Sequence, residues 1–479
     1  MENNTNKKLS TSASRRKFIK SLGIAGAAFT IVPRSVLGGN GFVAPSDTLY
    51  IAGIGAGGKG KSDIANFAKS PNVKIAFLCD VDDREAKTSR ENFPDAKYYK
   101  DYRIMLEKEK NNIDAVSVST PDHMHGAQAL AAMQLGKHVY VQKPLTHDIF
   151  EARQLTEAAQ KYKVVTQMGN QGASGDGVRK MQEWYNANLI GDVHTVYCWT
   201  NRPVWPQGVA WPSKKSKIPK GLDWELWQGT APRKDYVDGL LPFNWRGWWD
   251  YGTGALGDMA CHIIEPAFKT LQLGYPTSVE CSVGTSYVGV WGRVYSPDSC
   301  PPSSHTTLEF PKRGNKSAVK LHWMDGGIQP ARPEELGPNE LMGDGGNGVL
   351  MIGSKGKMMC DVYGKNPRLL PTDVNDYINV PETIERVPEG HYLQWVNACI
   401  AGYKSKECSS DFDIAGPLTE SILMGNLALR SFDLRTPTAD GKDYNYPGRG
   451  IKLVWDGPSM KIKNFDDANQ FVKREYTGW

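Results

Sequence analysis

The sequence predicts two consecutive domains: an α/β domain with a doubly wound parallel sheet, then an α+β domain with an open, mostly antiparallel sheet and helices on one face. The chain has 479 residues, which exceeds the usual size of one domain. Strand-like and helix-like runs alternate from 48 to 168, as in parallel sheets covered by helices. After this point strand-like runs follow one another, which favours antiparallel pairing. We therefore place the domains at 47–168 and 169–479, after a leader and linker at 1–46.

Hydrophobic periodicity predicts the individual elements. In the first domain the predicted strands are 49–54, 73–79, 115–119, 138–141 and 164–167, and the predicted helices are 63–69, 84–92, 126–135 and 149–162. In the second domain the predicted helices are 175–189, 391–401 and 418–429, and strand-like runs lie at 194–200, 305–310, 317–324 and 348–361 and near 279–291. The last helix, placed near 411–432 when its flanks are included, is expected to pack back on the body.

The first predicted strand leads into a glycine-rich turn, LYIAGIGAGGKG at 49–60. Gly53, Gly55 and Gly58 have the Gly-x-Gly-x-x-Gly spacing. In a Rossmann fold, the first glycine permits a tight turn, the second lets a pyrophosphate approach the backbone, and the third lets helix and strand pack closely. The N–H groups at the start of the following helix favour a phosphate. The spacing predicts a dinucleotide site, and an ordinary tight turn in an α/β domain is the alternative.

An acidic residue at the end of the second predicted strand indicates which dinucleotide binds. Asp80 directly follows the apolar run 73–79. A carboxylate at this point accepts hydrogen bonds from a ribose 2′-hydroxyl and repels a 2′-phosphate. We therefore expect NAD as the cofactor, with NADP less favoured.

The N-terminus resembles an export signal. Residues 14–20, SRRKFIK, precede an apolar run at 22–32 that is too short to cross a bilayer. Paired arginines before a short apolar segment are typical of a twin-arginine signal, and a basic disordered N-terminus is the alternative. The signal predicts a periplasmic protein with no membrane attachment after export. Because that compartment offers little free NAD, we expect the cofactor to be tightly bound and recycled in place.

Charge and cysteine spacing argue against other classes of partner. The formal net charge of +5 arises in residues 1–40, where seven basic residues and one acidic residue give +6 and leave −1 for the remainder. No basic face for nucleic acid is indicated. The eight cysteines include no Cys-x-x-Cys pair, so no metal site is predicted. Their pairing stays open, with buried free thiols favoured for most of them.

One predicted strand ends in the sequence STPDHMH, which suits a nicotinamide site because doubly wound sheets bind ligands at the carboxyl ends of their strands. We expect Thr120 and Pro121 to line the nicotinamide side, and His123 or His125 to contact the nicotinamide ribose. A helix cap at Asp122 followed by two surface histidines is the alternative.

Three further residues suggest hydride-transfer chemistry. Lys143 ends the next strand, and a lysine there can stabilise the alkoxide that develops as a hydride leaves. Asp258 and His262 are four residues apart, so on a helix they would share a face. Asp258 could then hold the tautomer of His262 while the other ring nitrogen takes a proton. A solvent-facing lysine, and a helix-capping aspartate with a core histidine, are the alternatives.

In order and approximate spacing these motifs resemble the glucose–fructose oxidoreductase / inositol dehydrogenase (Gfo/Idh/MocA) family across about 48–432. The resemblance implies that the lysine, aspartate and histidine just named form a catalytic triad. It also implies that the second domain binds a sugar and forms homo-oligomers. We further place Gln142 and Asn170 at the cofactor. Gln142 departs from the Glu-Lys-Pro motif common in the family, so an ionised neighbour of Lys143 is missing.

A tryptophan-rich segment precedes the predicted aspartate–histidine pair. Of 14 tryptophans, eight lie at 199, 205, 211, 224, 227, 245, 248 and 249. Indole faces stack on the apolar faces of sugar rings. We therefore predict a carbohydrate wall, with Trp245, Arg246, Trp248 and Tyr251 as substrate contacts. For any single tryptophan, anchoring of a long loop is the alternative.

Together these features predict an NAD-dependent oxidoreductase that transfers a hydride from a sugar or glycoside hydroxyl to tightly bound NAD. Family members with similar leaders suggest C3 of a hexoside as the carbon oxidised. One alternative is a glycoside hydrolase that uses NAD for transient oxidation and elimination; related sequences of that kind tend to lack the lysine found here as Lys143. The other alternative is a non-catalytic sugar or nucleotide sensor. The sugar, the electron acceptor and the number of subunits stay open.

Overall fold

The computed structural model of the protein describes residues 48–290 and 292–477. The predicted export signal at 14–32 lies outside them. Two large sheets organise the described chain: a six-stranded sheet comes first, and a nine-stranded sheet is built from the later strands.

The first sheet is parallel throughout. Its strands are β1 (Leu49–Ile54), β2 (Val73–Cys79), β3 (Lys97–Tyr99), β4 (Ala115–Val118), β5 (His138–Val141) and β6 (Thr166–Met168). Its helices are α1 (Gly58–Phe67), α2 (Asp83–Asn92), α3 (Tyr102–Glu109), α4 (Asp122–Gln134) and α5 (Ile149–Tyr162). The order β3-β2-β1-β4-β5-β6 reverses between β1 and β4. The reversal places the switch point, where such sheets bind ligands, beside the glycine-rich turn.

Burial and capping explain these elements. All four residues of β4 and the last three of β5 are buried, because helices cover both faces of a parallel sheet. Aspartates cap three of these five helices. The side chains of Asp82, Asp101 and Asp148 accept hydrogen bonds from N–H groups in the first turns of α2, α3 and α5. The caps fix where those helices begin.

The later elements form the second sheet. Its strands are β7 (Val193–Trp199), β8 (Ser278–Val283), β9 (Ser304–Phe310), β10 (Val319–Met324), β11 (Gly348–Gly353), β12 (Lys357–Cys360), β13 (Arg368–Leu370), β16 (Leu453–Asp456) and β17 (Lys461–Ile462), while β14 (Thr436–Pro437) and β15 (Tyr444–Asn445) pair with each other. The helices are α6 (Asp176–Asn186), α7 (Trp224–Gln228), α8 (Gly254–Leu271), α9 (Gly390–Ala401) and α10 (Phe412–Phe432). The order is β13-β12-β11-β7-β10-β9-β8-β16-β17, and β7 and β10 are its parallel pair.

Helices α8 and α10 pack on the second sheet, and α10 also contacts strand β6 of the first sheet. The α10 helix packs against α5, α8 and strand β8. Every residue of α8 is buried except Asp258 and Lys269, as expected for a helix that is apolar on nearly all sides. This position carries the α8 side chains to the edge of the parallel sheet.

The parallel sheet followed by the mostly antiparallel sheet confirms the predicted fold class. The strand at 138–141 and the helix at 149–162 have their predicted bounds. The first helix begins at Gly58 and not at 63, because the glycine-rich turn leads directly into it. The strand predicted near 279–291 ends at Val283.

Residues 48–290 and 292–477 contain neither a helix suited to cross a membrane nor a cluster of metal ligands. Within these ranges, none of the helices combines the length and the apolar character needed to cross a bilayer. In the same part of the chain, no group of three or more His, Cys, Asp or Glu residues is placed to hold a metal ion. The eight cysteines are free thiols, and all except Cys281 are buried.

Candidate active site

A cavity of about 820 Å³ opens at the carboxyl edge of the parallel sheet. The glycine-rich turn, the ends of β2, β4 and β5, helix α8 and the tryptophan-rich segment all contribute to it. The predicted site residues on its lining are Gly55, Gly58, Asp80, Thr120, Pro121, Gln142, Lys143, Trp245, Arg246, Asp258 and His262. The predicted residues that are absent from the lining are Gly53, His123, His125, Asn170, Trp248 and Tyr251.

Close backbone approaches shape the glycine-rich turn. Gly55 has φ +82°, and a Cβ atom there would lie 2.6 Å from the carbonyl oxygen of Ser119. A Cβ atom on Gly53 would lie 2.6 Å from an α1 side chain, and one on Gly60 would collide with the Gly55 carbonyl oxygen. Close packing of helix and strand therefore depends on Gly53 and Gly60, whereas we predicted this role for Gly58. Gly58 faces open space, which suits an approaching phosphate.

Asp80 joins the end of β2 to the glycine-rich turn. Its carboxylate accepts hydrogen bonds from the backbone N–H groups of Ala56 (2.8 Å), Gly57 (3.0 Å) and Asp82 (2.9 Å). Burial raises the pKa of Asp80 to about 6, although these N–H groups oppose the change. The carboxylate is therefore largely ionised at neutral pH, which suits the predicted hydrogen bonds from ribose hydroxyls.

The two histidines of α4 lie behind the cavity wall. Nε2 of His123 lies 3.0 Å from the carbonyl oxygen of Trp227, and Nδ1 lies 3.3 Å from that of Tyr251. The ring nitrogens of His125 lie 2.7 and 2.8 Å from carbonyl oxygens that follow β4 and β5. Burial lowers the pKa of His123 to about 3, so its ring is neutral. The predicted ribose contact is therefore corrected: both side chains brace backbone segments and face away from the cavity.

Lys143 and Asp258 form an ion pair on the cavity wall. Nζ of Lys143 lies 2.7 Å from Oδ1 of Asp258 and also donates to the Asp258 carbonyl oxygen at 2.7 Å. Nε of Arg246 donates to the same carboxylate oxygen at 3.2 Å. Burial would raise the pKa of Asp258, but the two cations lower it to about 2. Asp258 is thus a stable anion that holds two cations.

Asn170, and not Asp258 as predicted, holds His262. Oδ1 of Asn170 lies 2.8 Å from Nδ1 of His262. Since that oxygen only accepts hydrogen bonds, Nδ1 carries the proton and Nε2 keeps its lone pair. Burial, with Lys143 nearby, holds the pKa of His262 well below its usual range. The correction has a simple cause: the Asp258 carboxylate is committed to Lys143 and Arg246.

A buried carboxylate that the sequence reasoning missed lies beside Gln142. Asp63 of α1 is fully buried. It accepts hydrogen bonds from Nε2 of Gln142 (2.8 Å) and from the hydroxyls of Ser119 (2.9 Å) and Tyr392 (3.1 Å). Lys59 forms an ion pair with it. The acid absent from position 142 is therefore present on α1, and an amide at 142 avoids a clash of two carboxylates.

The tryptophan-rich segment divides between the cavity and a core of its own. Trp245 lines the cavity, and the Arg246 guanidinium lies 4.3 Å from the ring centres of Trp245 and Phe243. Trp248 and Tyr251 are buried in a hydrophobic cluster built by the segment itself. Loop anchoring therefore accounts for these two residues, which we predicted as substrate contacts. Trp227, a member of the predicted tryptophan cluster, also lines the cavity, and the lining aromatic residues that we did not predict are Tyr102, Tyr236, Phe243 and Tyr363.

The same segment pairs with the chain that follows β2, and we call this contact the 221–223 crossing. The N–H of Asp223 donates to the carbonyl oxygen of Val81 at 2.9 Å, and the N–H of Asp83 donates to that of Gly221 at 3.1 Å. Nζ of Lys100 donates to the Gly221 carbonyl oxygen at 2.7 Å. The crossing therefore ties the tryptophan-rich segment to the stretch directly after Asp80, where Val81 and Asp82 line the cavity.

Comparison with known families assigns two segments of the chain. Residues 49–170 match the model described as the oxidoreductase family with an NAD-binding Rossmann fold (Gfo/Idh/MocA). Residues 188–295 match the model described as the C-terminal alpha/beta domain of that oxidoreductase family. The first match covers the parallel sheet. The second match covers β7 and β8 of the second sheet.

Curated relatives align over the first part of the chain. A glycosyl hydrolase family 109 protein of Solibacter usitatus is 36% identical over 130 residues, which are 25% of this chain and 30% of that protein. A protein of the same name from Shewanella sp. (strain W3-18-1) is 28% identical over 171 residues, 31% of this chain and 37% of that protein. The chain thus spans about a third of the length of these relatives.

Solved structures are similar over most of the chain. Levoglucosan dehydrogenase in complex with NADH and levoglucosan has a TM-score of 0.52 at 17% identity, covering 79% of this chain and 97% of that one. The WlbA dehydrogenase of Bordetella pertussis in complex with NADH and UDP-GlcNAcA has a TM-score of 0.53 at 15% identity, covering 85% and 98%. At these identities the likeness shows a shared fold.

Proposed function

We infer that this chain, whose two matched segments correspond to the two domains of the Gfo/Idh/MocA oxidoreductases, transfers a hydride from a sugar or glycoside hydroxyl to NAD. One observation carries the proposal: Lys143, Asp258 and His262 line the same cavity as the glycine-rich turn and Asp80. A proton acceptor, a cation for the developing alkoxide and a dinucleotide site therefore meet in one place.

The glycine-rich turn and Asp80 would hold NAD. Gly58 faces open space, and the first N–H groups of α1 have no partner within the helix, which suits a pyrophosphate. Asp80 suits a ribose diol and opposes a 2′-phosphate. Arg84, which also lines the cavity, is already paired with Asp82 at 2.6 Å. We therefore favour NAD over NADP; when bound, NAD supplies the hydride acceptor.

The chain's own residues divide the proton and charge chemistry. Nε2 of His262 accepts the hydroxyl proton, because Nδ1–H is committed to Asn170. Lys143 donates to the same substrate oxygen and stabilises it as negative charge develops. Asp258 orients Lys143 through the 2.7 Å ion pair. Lys143 is thus fixed in place before substrate arrives, which is what makes such stabilisation effective.

A carbohydrate fits the remaining wall of the cavity. Trp227 and Trp245 line the cavity, and indole rings are suited to contact with the apolar side of a sugar ring. The planar guanidinium of Arg246 presents donors suited to neighbouring hydroxyls. The dehydrogenases of similar fold were solved in complex with levoglucosan and with UDP-GlcNAcA, which supports a carbohydrate as the substrate class here. We propose a sugar or glycoside as substrate, with C3 of a hexoside as the position to test first.

We propose that NAD stays bound between turnovers. The 221–223 crossing supports this, because its backbone hydrogen bonds tie the tryptophan-rich segment to the stretch directly after Asp80. A second sugar or keto-sugar would then reoxidise the NADH. The paired arginines at 14–20 support export to the periplasm, where a retained cofactor is an advantage. We also propose domains at 47–168 and 169–479, and a homo-oligomer formed through the second domain.

A glycoside hydrolase that uses NAD is the second candidate. The curated relatives favour it, because they are named glycosyl hydrolase family 109 proteins. Such an enzyme oxidises the sugar, eliminates the aglycone, adds water to the unsaturated intermediate and re-reduces the product, with no net redox change. Lys143, paired with Asp258, favours the dehydrogenase.

One experiment separates these functions. The full chain is purified, denatured, and the released nucleotide is identified by mass spectrometry. The intact protein is incubated with a panel of glycosides and sugars, with a keto-sugar as the oxidant, and the products are separated. We expect bound NAD and a stable keto-product that Lys143→Ala reduces by orders of magnitude. Released aglycone without a keto-product would establish the hydrolase, and binding without turnover would establish a sensor.

A further inference from the structure

A tyrosine in an uncommon backbone conformation packs on the imidazole of His262. Tyr363 lies in the turn between β12 and β13, with φ +65° and ψ +17°. Its ring centre lies 4.6 Å from that of His262, and the two planes are inclined by 58°. Both residues line the cavity. A left-handed φ is rare for a bulky side chain, and such residues concentrate at functional sites.

The surrounding chain holds this conformation. The N–H of Asp361 donates to the carbonyl oxygen of Lys365 at 2.8 Å, which closes the turn. The Asp361 carboxylate also accepts a hydrogen bond from Arg368 at 3.0 Å. A Cβ atom on Gly172 would lie 2.9 Å from Cα of Tyr363. The turn therefore reaches the cavity wall because position 172 carries no side chain.

His262 is thereby fixed from two directions. Asn170 contacts Nδ1, and the Tyr363 ring packs against the imidazole in a tilted arrangement. Asn170 immediately precedes the 3-10 turn at Gln171–Ser174, which the Tyr363 backbone contacts. The hydrogen bond limits rotation of the imidazole, and the tyrosine ring limits its tilt.

We propose that Tyr363 is a positioning residue for His262: its ring keeps the imidazole aimed at the substrate hydroxyl and shielded from water. This rests on the proposed function, in which His262 is the proton acceptor. A base with one fixed orientation meets the geometric requirement of proton transfer without reorganisation. The ring carries the effect, because the contact between the two residues is between rings.

Charged groups from several elements face this imidazole. Burial lowers its pKa most, Lys143, Lys59 and His391 lower it further, and Asp258 raises it. The burial depends on the groups that cover the ring, and Tyr363 is one of them. Removal of the tyrosine ring admits water and should raise the pKa of the imidazole.

Two variants distinguish the effect of the Tyr363 ring from an effect of the turn that carries it. Tyr363→Asn removes the ring but keeps a residue that tolerates a left-handed φ, and Tyr363→Phe keeps the ring. In the full chain, isotope-labelled histidine allows the His262 imidazole to be titrated by NMR, with its signal assigned by loss in His262→Gln. We expect the midpoint to rise by about one pH unit or more in Tyr363→Asn and to stay within roughly 0.3 unit in Tyr363→Phe.

Turnover supplies a second readout. We expect kcat of Tyr363→Asn to fall about 10–100-fold while KM changes by less than about threefold. Tyr363→Phe should keep nearly full activity. The matched control is Tyr377→Asn, which removes a tyrosine that is 88% exposed and should leave both readouts unchanged.

The outcomes are distinct. An unchanged midpoint and kcat in Tyr363→Asn would overturn the proposal. Equal losses in Tyr363→Phe would also overturn it, because they would assign the effect to the hydroxyl. A wild-type protein that retains NAD but turns over no sugar would instead reject the proposed function, and the NMR titration would still decide whether the ring shields His262.

Discussion

Oδ1 of Asn170 lies 2.8 Å from Nδ1 of His262, although 92 residues separate them in the chain. Asp258, one helical turn before His262, is committed to Lys143 and Arg246. The implied triad is therefore divided into two pairs, an amide with the imidazole and a carboxylate with the lysine. The proposed base, His262, and the proposed oxygen-stabilising cation, Lys143, thus have different positioning partners.

The amide at Asn170 should set the pH dependence of turnover. Asn170→Asp places a carboxylate beside Nδ1, which favours the imidazolium form and raises the pKa of His262. Because the base must be unprotonated, the acid limb of the kcat/KM profile should move up by about one to two pH units. Asn170→Ala, the control, should lower kcat with a smaller displacement. Superimposable profiles for wild type and Asn170→Asp would contradict the assigned contact.

The acid and the amide at positions 63 and 142 should be exchangeable only as a pair. Gln142→Glu alone puts a second carboxylate against buried Asp63 where the amide now donates at 2.8 Å. We expect the free energy of unfolding to fall by about 2–4 kcal/mol. Adding Asp63→Asn restores one acid and one amide and should recover most of the loss, as measured by urea unfolding. Additive losses in the double variant would show that the two side chains are not coupled.

Buried His123 should make the fold sensitive to mild acid. Burial lowers its pKa from 6.5 to about 3. Between these values the unfolded chain binds a proton that the folded chain does not. Its stabilising contribution is therefore complete above about pH 6.5 and declines as the pH falls toward 3. At pH 5 the loss is about 2 kcal/mol. Denaturant unfolding at neutral pH and at pH 5 should show this extra loss in wild type but not in His123→Gln. Equal losses in both proteins would mean that His123 is protonated in the fold.

Local patterns predicted the fold class and the position of the glycine-rich turn at the cavity. The glycine spacing and the strand ends are contiguous in sequence, and the topology of a parallel sheet brings them together. The pairing of side chains was not predictable in the same way. Asn170 and His262 meet only through tertiary packing, so nothing near either residue indicates the contact.

Local sequence also did not reveal the environments of a buried acid and of individual tryptophans. Asp63 shares its helix face with Gly60, Ile64 and Phe67, all buried, and an acid at such a position was a signal that could have been used. Trp245 and Trp248 are only three residues apart and both pack in the segment core, yet only Trp245 also lines the cavity. Residue type alone does not separate those two environments.

The glycine-rich turn that follows β1 should be distorted when position 60 carries a side chain. A Cβ atom on Gly60 collides with the Gly55 carbonyl oxygen, and backbone at a helix–strand contact moves little. We expect Gly60→Ala to lose bound NAD and to lower Tm by several degrees. Gly356→Ala is the matched control, because its Cβ atom would find no neighbour closer than 3.8 Å. Full nucleotide content and wild-type Tm in Gly60→Ala would show that the turn can relax.

Paired substitutions should distinguish the cavity tryptophan from the core tryptophan. Trp245→Phe keeps an aromatic ring in place but shortens the face offered to a sugar, so KM should rise about 3–10-fold, a loss of about 1 kcal/mol. Trp248→Phe leaves a gap beside Trp211, whose ring centre lies 4.8 Å away, so the free energy of unfolding should fall by about 1–3 kcal/mol with KM unchanged. Both quantities are measured on both variants, by initial rates and by denaturant unfolding. A larger KM for Trp248→Phe than for Trp245→Phe, at unchanged stability, would place Trp248 against the substrate after all.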